Sequence, residues 1–293
     1  MTLVPAYRPR SSPLHAARAG ATASFCVALA VVGGLYANPL ALGAVIAATL
    51  VAGTAAGVGG ELRRVVLLSL PLALLVTVIN PLVYQGGDTV LVRGGTVLGR
   101  RVDVTLEALA AGAFTGIRVV AVILPLGLLS AAVDPDDLLR MFRRVSYRSA
   151  LTASLATRLV PVLARDALRM GDAARCRPVP ASRLAVARAT LSGALDRAVD
   201  VAAALEVRGY SRAGRPTVRS IPWSRHDLRV SIAAAAIAFA AVAFKIGGIG
   251  AVEPYPRVEV ALGAPELALS ALIVGLAALP FAGRGARLGV AHG

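Results

Sequence analysis

A chain of 293 residues that is 57% hydrophobic, with a mean hydropathy of +0.72, is too apolar for an ordinary water-soluble domain. Its formal net charge of +15 would point to nucleic acid in a soluble protein, but only 4% of the residues are aromatic and no aromatic-plus-basic stacking pattern is present. Cys26 and Cys176 fall in an apolar run and in a polar block, which argues against a disulfide, and His15, His226 and His292 share no metal-ligand spacing.

The first apolar run, residues 20–36, follows Arg8, Arg10 and Arg18. That start resembles a signal peptide, but Asn38-Pro39 leads directly into a second run without a clear small-x-small site, so a retained span is expected. Span two covers 40–58 and contains Gly53-x-x-x-Gly57, a spacing that permits close helix approach and is also common by chance in a Gly-rich chain. A short basic connection with Arg63-Arg64 precedes span three, 65–84, which Pro71 is expected to interrupt and Asn80-Pro81 to close. The Gly-rich stretch 85–103 carries Val90, Val92 and Val97 and predicts a small hairpin. Span four covers 105–133, with Arg118 near its middle and Pro125 beyond it. Spans five and six cover 228–249 and 265–281, joined by a loop carrying Glu253-Pro254-Tyr255-Pro256.

Between spans four and five lies a long arginine-rich block, and this divides the chain into three regions: 1–133, 134–227 and 228–293. Asp134-Pro135-Asp136-Asp137 is a helix start, because aspartates cap free amides and proline fits the first turn. Leu151, Leu155, Leu159, Leu163, Ala167 and Met170 then recur about once per turn, with Arg158, Arg165 and Arg169 off the stripe. Pro161 is expected to bend this helix, which stops near Arg177-Pro178-Val179-Pro180. A second stripe runs through Leu184, Ala187, Leu191, Leu195, Ala198, Ala202 and Leu205, and stops at Gly209. Two amphipathic helices are therefore predicted, each ending in an arginine beside a breaker: Ala174-Arg175-Cys176 and Val207-Arg208-Gly209.

The fold class expected is an all-α integral membrane protein with about six transmembrane helices. The basic residues of the N-terminus, the Arg63-Arg64 connection, the central block, and Arg284 with Arg287 satisfy the positive-inside rule together if both termini are cytoplasmic. Arg93, Arg100 and Arg101 then fall outside, against the rule. A charge in the middle of a span needs a partner, so Arg118 is read either as a contact for the bundle or a neighbouring subunit, or as a structural arginine that binds helix carbonyls, with Pro125 the nearest bend.

The chemistry legible here is not catalytic. A membrane enzyme needs clustered acids, histidines or a nucleophile with a base, whereas Asp166, Asp172, Asp196 and Asp200 stand among arginines on helices, as surface ion pairs do. An ATP-driven pump needs a Gly-Lys-Ser/Thr loop, but the single lysine is Lys245, followed by Ile246. A stand-alone secondary transporter is the alternative reading. It usually carries inverted repeats around a midplane site, and four spans, a helical insert and two spans lack that symmetry.

Ala204-Leu205-Glu206-Val207-Arg208-Gly209-Tyr210 resembles the signature of the transmembrane T component of energy-coupling factor transporters, a family that includes cobalt-transport permeases. Ala173-Ala174-Arg175-Cys176 resembles the first of that family's two arginine motifs, with Cys176 where glycine is usual. Asn80-Pro81-Leu82 with Gly86-Gly87-x-Thr89, Arg118, Asp134-Pro135-x-x-Leu138 and Arg158-Leu159-x-Pro161 fit it as well. The resemblance implies a non-catalytic scaffold in a bacterial or archaeal cytoplasmic membrane, working with two ABC ATPases that hold ATP and magnesium, and with a substrate-binding S component for a vitamin or metal ion. It implies that this chain itself binds no cofactor, metal or nucleic acid. It assigns ATPase docking to Arg175 and Arg208 with their neighbours Ala174, Cys176, Val207 and Gly209. Cations also sit at helix C-termini merely to complement the dipole, so the residues alone leave both readings open.

Overall fold

The computed structural model describes residues 7, 9–83, 90–97, 100–142, 147–178, 182–209, 222–248, 252–253, 259–260 and 263–282. It divides into two compact units, one formed by Met1–Leu138 with Trp223–Gly293 and the other by Leu139–Pro222.

The first unit is a bundle of apolar helices. A short α1 (Pro13–Ala16) precedes α2 (Ala19–Leu35), α3 (Pro39–Ala55), α4 (Gly59–Val83) and α5 (Leu106–Ala132), and the chain returns as α9 (Arg225–Ile246) and α10 (Ala264–Ala278), which ends in a 3-10 turn at Leu279–Phe281. α4, α5, α9, and α10 with its terminal turn are each long and apolar enough to cross a bilayer, and α2 and α3 are shorter apolar helices. The six spans read from hydropathy thus correspond to six helices among the described residues. β1 (Val90–Val97) and β2 (Arg100–Thr105) pair antiparallel, with Arg93 opposite Asp103 and Val97 opposite Arg100, where the small hairpin was expected. β3 (Val252–Glu253) and β4 (Glu259–Val260) form a second, minimal hairpin between α9 and α10.

Small residues set how closely these helices pack. α4 lies along α5 through Val65, Ala73 and Thr77, which face Gly127, Gly116 and Gly112. A Cβ at Gly112 would stand 2.6 Å from the Thr77 carbonyl oxygen, and one at Gly116 2.6 Å from Thr77 Oγ1, so glycine is what lets the backbones approach. The Thr77 hydroxyl donates to the Ala73 carbonyl at 2.8 Å and lies 3.3 Å from the Gly112 carbonyl. The rest of α4 is uncovered, including Leu67, Leu70, Leu74 and Val78. The core gathers instead around α2, whose Phe25, Leu29 and Val32 share one buried cluster with Val45 of α3, Leu128 of α5, Ile237 of α9 and Ile273 of α10.

Two expectations need correction here. Pro71 does not interrupt the third span: α4 runs through it and through Pro81 to Val83. Pro71 is on the exposed face, so its ring meets no neighbouring helix, and only its own missing N–H is lost from the ladder. Gly53 and Gly57 do not act as one packing motif. Gly53 makes room for Leu62, whose Cδ2 would lie 2.5 Å from an added Cβ, whereas Gly57 has φ +78° in the turn between α3 and α4.

Contacts tie several chain segments to one side of this bundle. The Arg10 side chain lies beside Gly57. Burial, with Asp134 and Asp137 nearby, raises the Tyr7 hydroxyl above its ordinary pKa. Arg229 donates to the Ala282 carbonyl at 3.4 Å. Asp227, 2% exposed, is the strongest of these ties. It completes a capping box with Ser224 and accepts the Arg18 backbone N–H at 2.6 Å, while the Arg18 guanidinium pairs with it at 3.3 Å. The starts of α2 and α9 are therefore joined, and at their other ends the Tyr36 hydroxyl donates to the Ala241 carbonyl at 2.7 Å, so the two helices run parallel.

The second unit is a helical hairpin of α7 (Tyr147–Arg175) and α8 (Arg183–Val207). The short α6 (Pro135–Phe142) precedes it, begun by Asp134, whose carboxylate accepts the Asp136 N–H at 2.9 Å. α7 passes through Pro161 without ending, and the Pro161 carbonyl accepts the Arg165 Nε–H at 3.2 Å. Ser182 caps α8 by accepting the Ala185 N–H at 3.2 Å.

Candidate functional site

Each of the two helices in the hairpin ends on an arginine. α7 finishes at Arg175, with the Cys176 N–H still donating to the Asp172 carbonyl at 3.3 Å and the chain turning at Cys176. Arg175 stands out in solvent, 83% exposed, and pairs with Asp172 one turn back at 3.1 Å. Ala174 is half-buried and Cys176 is exposed. An exposed i,i+3 pair of this kind contributes only about 0.3–0.5 kcal/mol, so Arg175 remains available to another acceptor.

α8 ends at Val207, with Arg208 as its C-cap and the Arg208 N–H donating to the Ala204 carbonyl at 3.2 Å. Gly209 follows at φ +76° and donates to the Glu206 carbonyl at 2.9 Å, a left-handed stop that glycine takes without steric cost. Val207 is 89% exposed, and Arg208 is exposed with no ion pair among the described residues. A large apolar side chain and a guanidinium thus project together from a helix end.

The hairpin keeps these two ends apart. Arg175 marks the turn between the helices and Arg208 the far end of α8, a helix whose 25 residues rise about 37 Å. They are two separate exposed helix ends, not one pocket. The apolar stripes behave differently on the two helices. Leu151, Leu155, Leu159 and Leu163 are half-buried, and the stripe opens to solvent at Ala167 and Met170. On α8 the predicted stripe is turned outward: Leu184 is 61%, Leu191 63% and Leu195 67% exposed. Val186, Thr190, Ala194, Arg197, Val201 and Leu205 are the half-buried ones, so of the predicted stripe only Leu205 is partly covered.

Arg118 stands elsewhere, in α5, and donates from Nη2 to the Gly34 carbonyl of α2. That carbonyl belongs to the last turn of α2, where the helix leaves acceptors unpaired. Arg118 thus binds a helix carbonyl across the bundle, with the acceptor on a neighbouring helix end and not at Pro125. The sequence reading missed the Asp227–Arg18 tie, although Ser224-x-x-Asp227 has capping-box spacing, and it placed Asp166 only among surface ion pairs, without its partner across the hairpin.

A bundle of apolar helices, four of them long enough to span a bilayer, together with a separate arginine-ended helical hairpin, defines a multi-pass membrane protein. Compared with known proteins, residues 10–218 match the family model described as CbiQ, cobalt transport protein. The chain belongs to that family, the T-component family of energy-coupling factor transporters, and is a transport protein of the membrane. No curated protein matches it.

Proposed function

We propose that this chain is the scaffold and coupling subunit of an energy-coupling factor importer. Two ATP-binding-cassette ATPases dock on the ends of α7 and α8, one at Ala174-Arg175-Cys176 and the other at Val207-Arg208-Gly209. ATP and magnesium belong to those subunits. Their motion passes through the hairpin to a membrane-embedded S component that binds a vitamin or a transition-metal ion. The side from which Arg175 and Arg208 project is the cytoplasm, together with both chain termini, in a bacterial or archaeal cytoplasmic membrane.

The observation that carries this reading is the pair of exposed arginines, each held at the end of a rigid helix and separated by the length of α8. Arginine offers a planar fork of donors that matches carboxylates and backbone carbonyls, and a helix end presents it at a fixed place. The outward leucines of α8 supply an apolar face for a further subunit of the complex.

Co-purification tests it. Truncating an arginine paired and desolvated at an interface costs about 2–5 kcal/mol, so Arg208→Ala is expected to weaken ATPase association at least about thirtyfold. Insertion into the membrane should be unaltered. Arg175→Ala should act in the same direction, and the double substitution should be worse than either. Recovery of both ATPases in normal amounts from the double variant would overturn the assignment.

A further inference from the structure

The two docking ends need something that makes them act together, and α8 supplies little of it by apolar burial: none of its described side chains is fully buried. α7 and α8 touch over a short antiparallel stretch, where Met170 and Ala173 face Ala189, Thr190 and Gly193. These residues on α8 are small, and a Cβ added at Gly193 would meet nothing within 4 Å, so the contact has no large interlocking side chains to fix the helices in one arrangement. At the far end of this stretch Arg197 Nη2 meets Asp166 Oδ2 at 2.8 Å. The pair is half-enclosed, with Asp166 23% and Arg197 39% exposed. Arg169, one turn along α7, adds a looser contact to Asp166 at 3.9 Å. Arg197 Nη1 is enclosed with no hydrogen-bond partner among the described residues, so Asp166 is the acceptor that compensates this guanidinium.

The position of the pair is as informative as its chemistry. Arg175 lies nine residues beyond Asp166 on α7, and Arg208 eleven residues beyond Arg197 on α8. At 1.5 Å per residue these arms measure about 14 Å and about 17 Å. Because the helices run antiparallel where they touch, the arms point away from each other, and the ion pair sits close to midway between the two arginines.

We propose that Asp166 and Arg197 form a pin between the two docking arms, two positioning residues that hold α7 and α8 at one point so that displacement of either arm moves the other. The proposal rests on the docking reading for its purpose, and on the ion pair alone for its mechanics. The pin sets where the helices meet, and the small residues beside it leave their angle adjustable.

The test measures distance, and needs no knowledge of the cargo. In the full chain in nanodiscs, with both native cysteines kept, ketone-reactive spin labels on p-acetylphenylalanine introduced at Val160 and Val199 report the separation of exposed sites on the two helices. A narrow distribution is expected, at least doubling in width in Asp166→Asn and in Arg197→Gln. The double variant should widen no further, and Arg197→Lys, which keeps the charge, should stay narrow. With the ATPases bound, adding ATP should shift the distance in the parent chain. That shift should vanish in both single variants although the ATPases still co-purify. Unchanged widths in the single variants, or a double variant broader than either, would overturn the pin. If the parent chain retained no ATPases, the docking reading would fail, and the widths in the chain alone would still decide the pin.

Discussion

Asp227 shows how one residue can organise a junction. Its carboxylate is almost fully enclosed, yet it has three uses: the Ser224 N–H at 2.9 Å, which closes the capping box that starts α9, the Arg18 N–H at 2.6 Å, and the Arg18 guanidinium at 3.3 Å. An enclosed charge is tolerated only when it is paired and bonded in this way. Arg18 in turn lies under the exposed Trp223 ring at 5.5 Å, just before α9. Replacing the carboxylate by an amide keeps the shape and removes the charge and two acceptor sites. Asp227→Asn is therefore expected to cost about 1–3 kcal/mol, read as a lowered unfolding midpoint in detergent, whereas Asp200→Asn on the exposed face of α8 should leave it unchanged. The capping half of this arrangement is visible in Ser224-x-x-Asp227. The tie to Arg18 is not, because the two residues stand 209 positions apart and only the parallel course of α2 and α9 brings them together.

Among the elements, those defined by hydropathy were legible and those defined by facing were not. The six apolar helices follow from run length, and the ends of α7 and α8 follow from Arg177-Pro178 and from Gly209, because breakers act locally. Which side of a helix meets another is a tertiary choice. The leucines of α8 read as one apolar stripe, yet the partly covered side carries Thr190, Ala194 and Arg197, and Leu184, Leu191 and Leu195 are left outside. For the same reason Asp166 reads as an i,i+3 partner of Arg169 at 3.9 Å, while its nearer partner is Arg197 at 2.8 Å across the hairpin. Glycine gives the sharper test of packing. At Gly112 an added side chain meets the α4 backbone itself, which cannot step aside as a flexible side chain can. Gly112→Val should push α4 away from α5 and cost about 1–3 kcal/mol or more by overpacking. Gly275→Ala, where nothing lies within 4 Å of the added atom, should be neutral or slightly stabilising through helix propensity. Thermal unfolding in detergent separates the two outcomes, and equal losses at both positions would show that tight α4–α5 contact is not what the glycine provides.

For the whole molecule, the decisive question is which compartment receives the arginine-ended hairpin. Arg10 at the α3–α4 turn, Asp227 at the start of α9 and Ala282 beyond α10 lie on one side of the bundle, and the chain leaves for α6 from Asp134 beside Tyr7. Basic residues concentrate on this side, and they resist translocation, so the proposed topology puts it in the cytoplasm. The basic β1–β2 hairpin lies at the opposite ends of α4 and α5 and departs from the rule. The chain carries its own probe for this assignment. Cys26 is 0% exposed inside α2, and Cys176 is exposed beside Arg175. A membrane-impermeant maleimide should therefore label one thiol in inside-out vesicles and none in intact cells. Cys176→Ser should abolish the signal, and bound ATPases should slow labelling at this end of α7, since a docked arginine leaves its neighbour enclosed. Labelling of Cys176 from outside intact cells would put the hairpin beyond the reach of any cytoplasmic ATPase, and no arrangement of the helices would then let it couple ATP hydrolysis to transport.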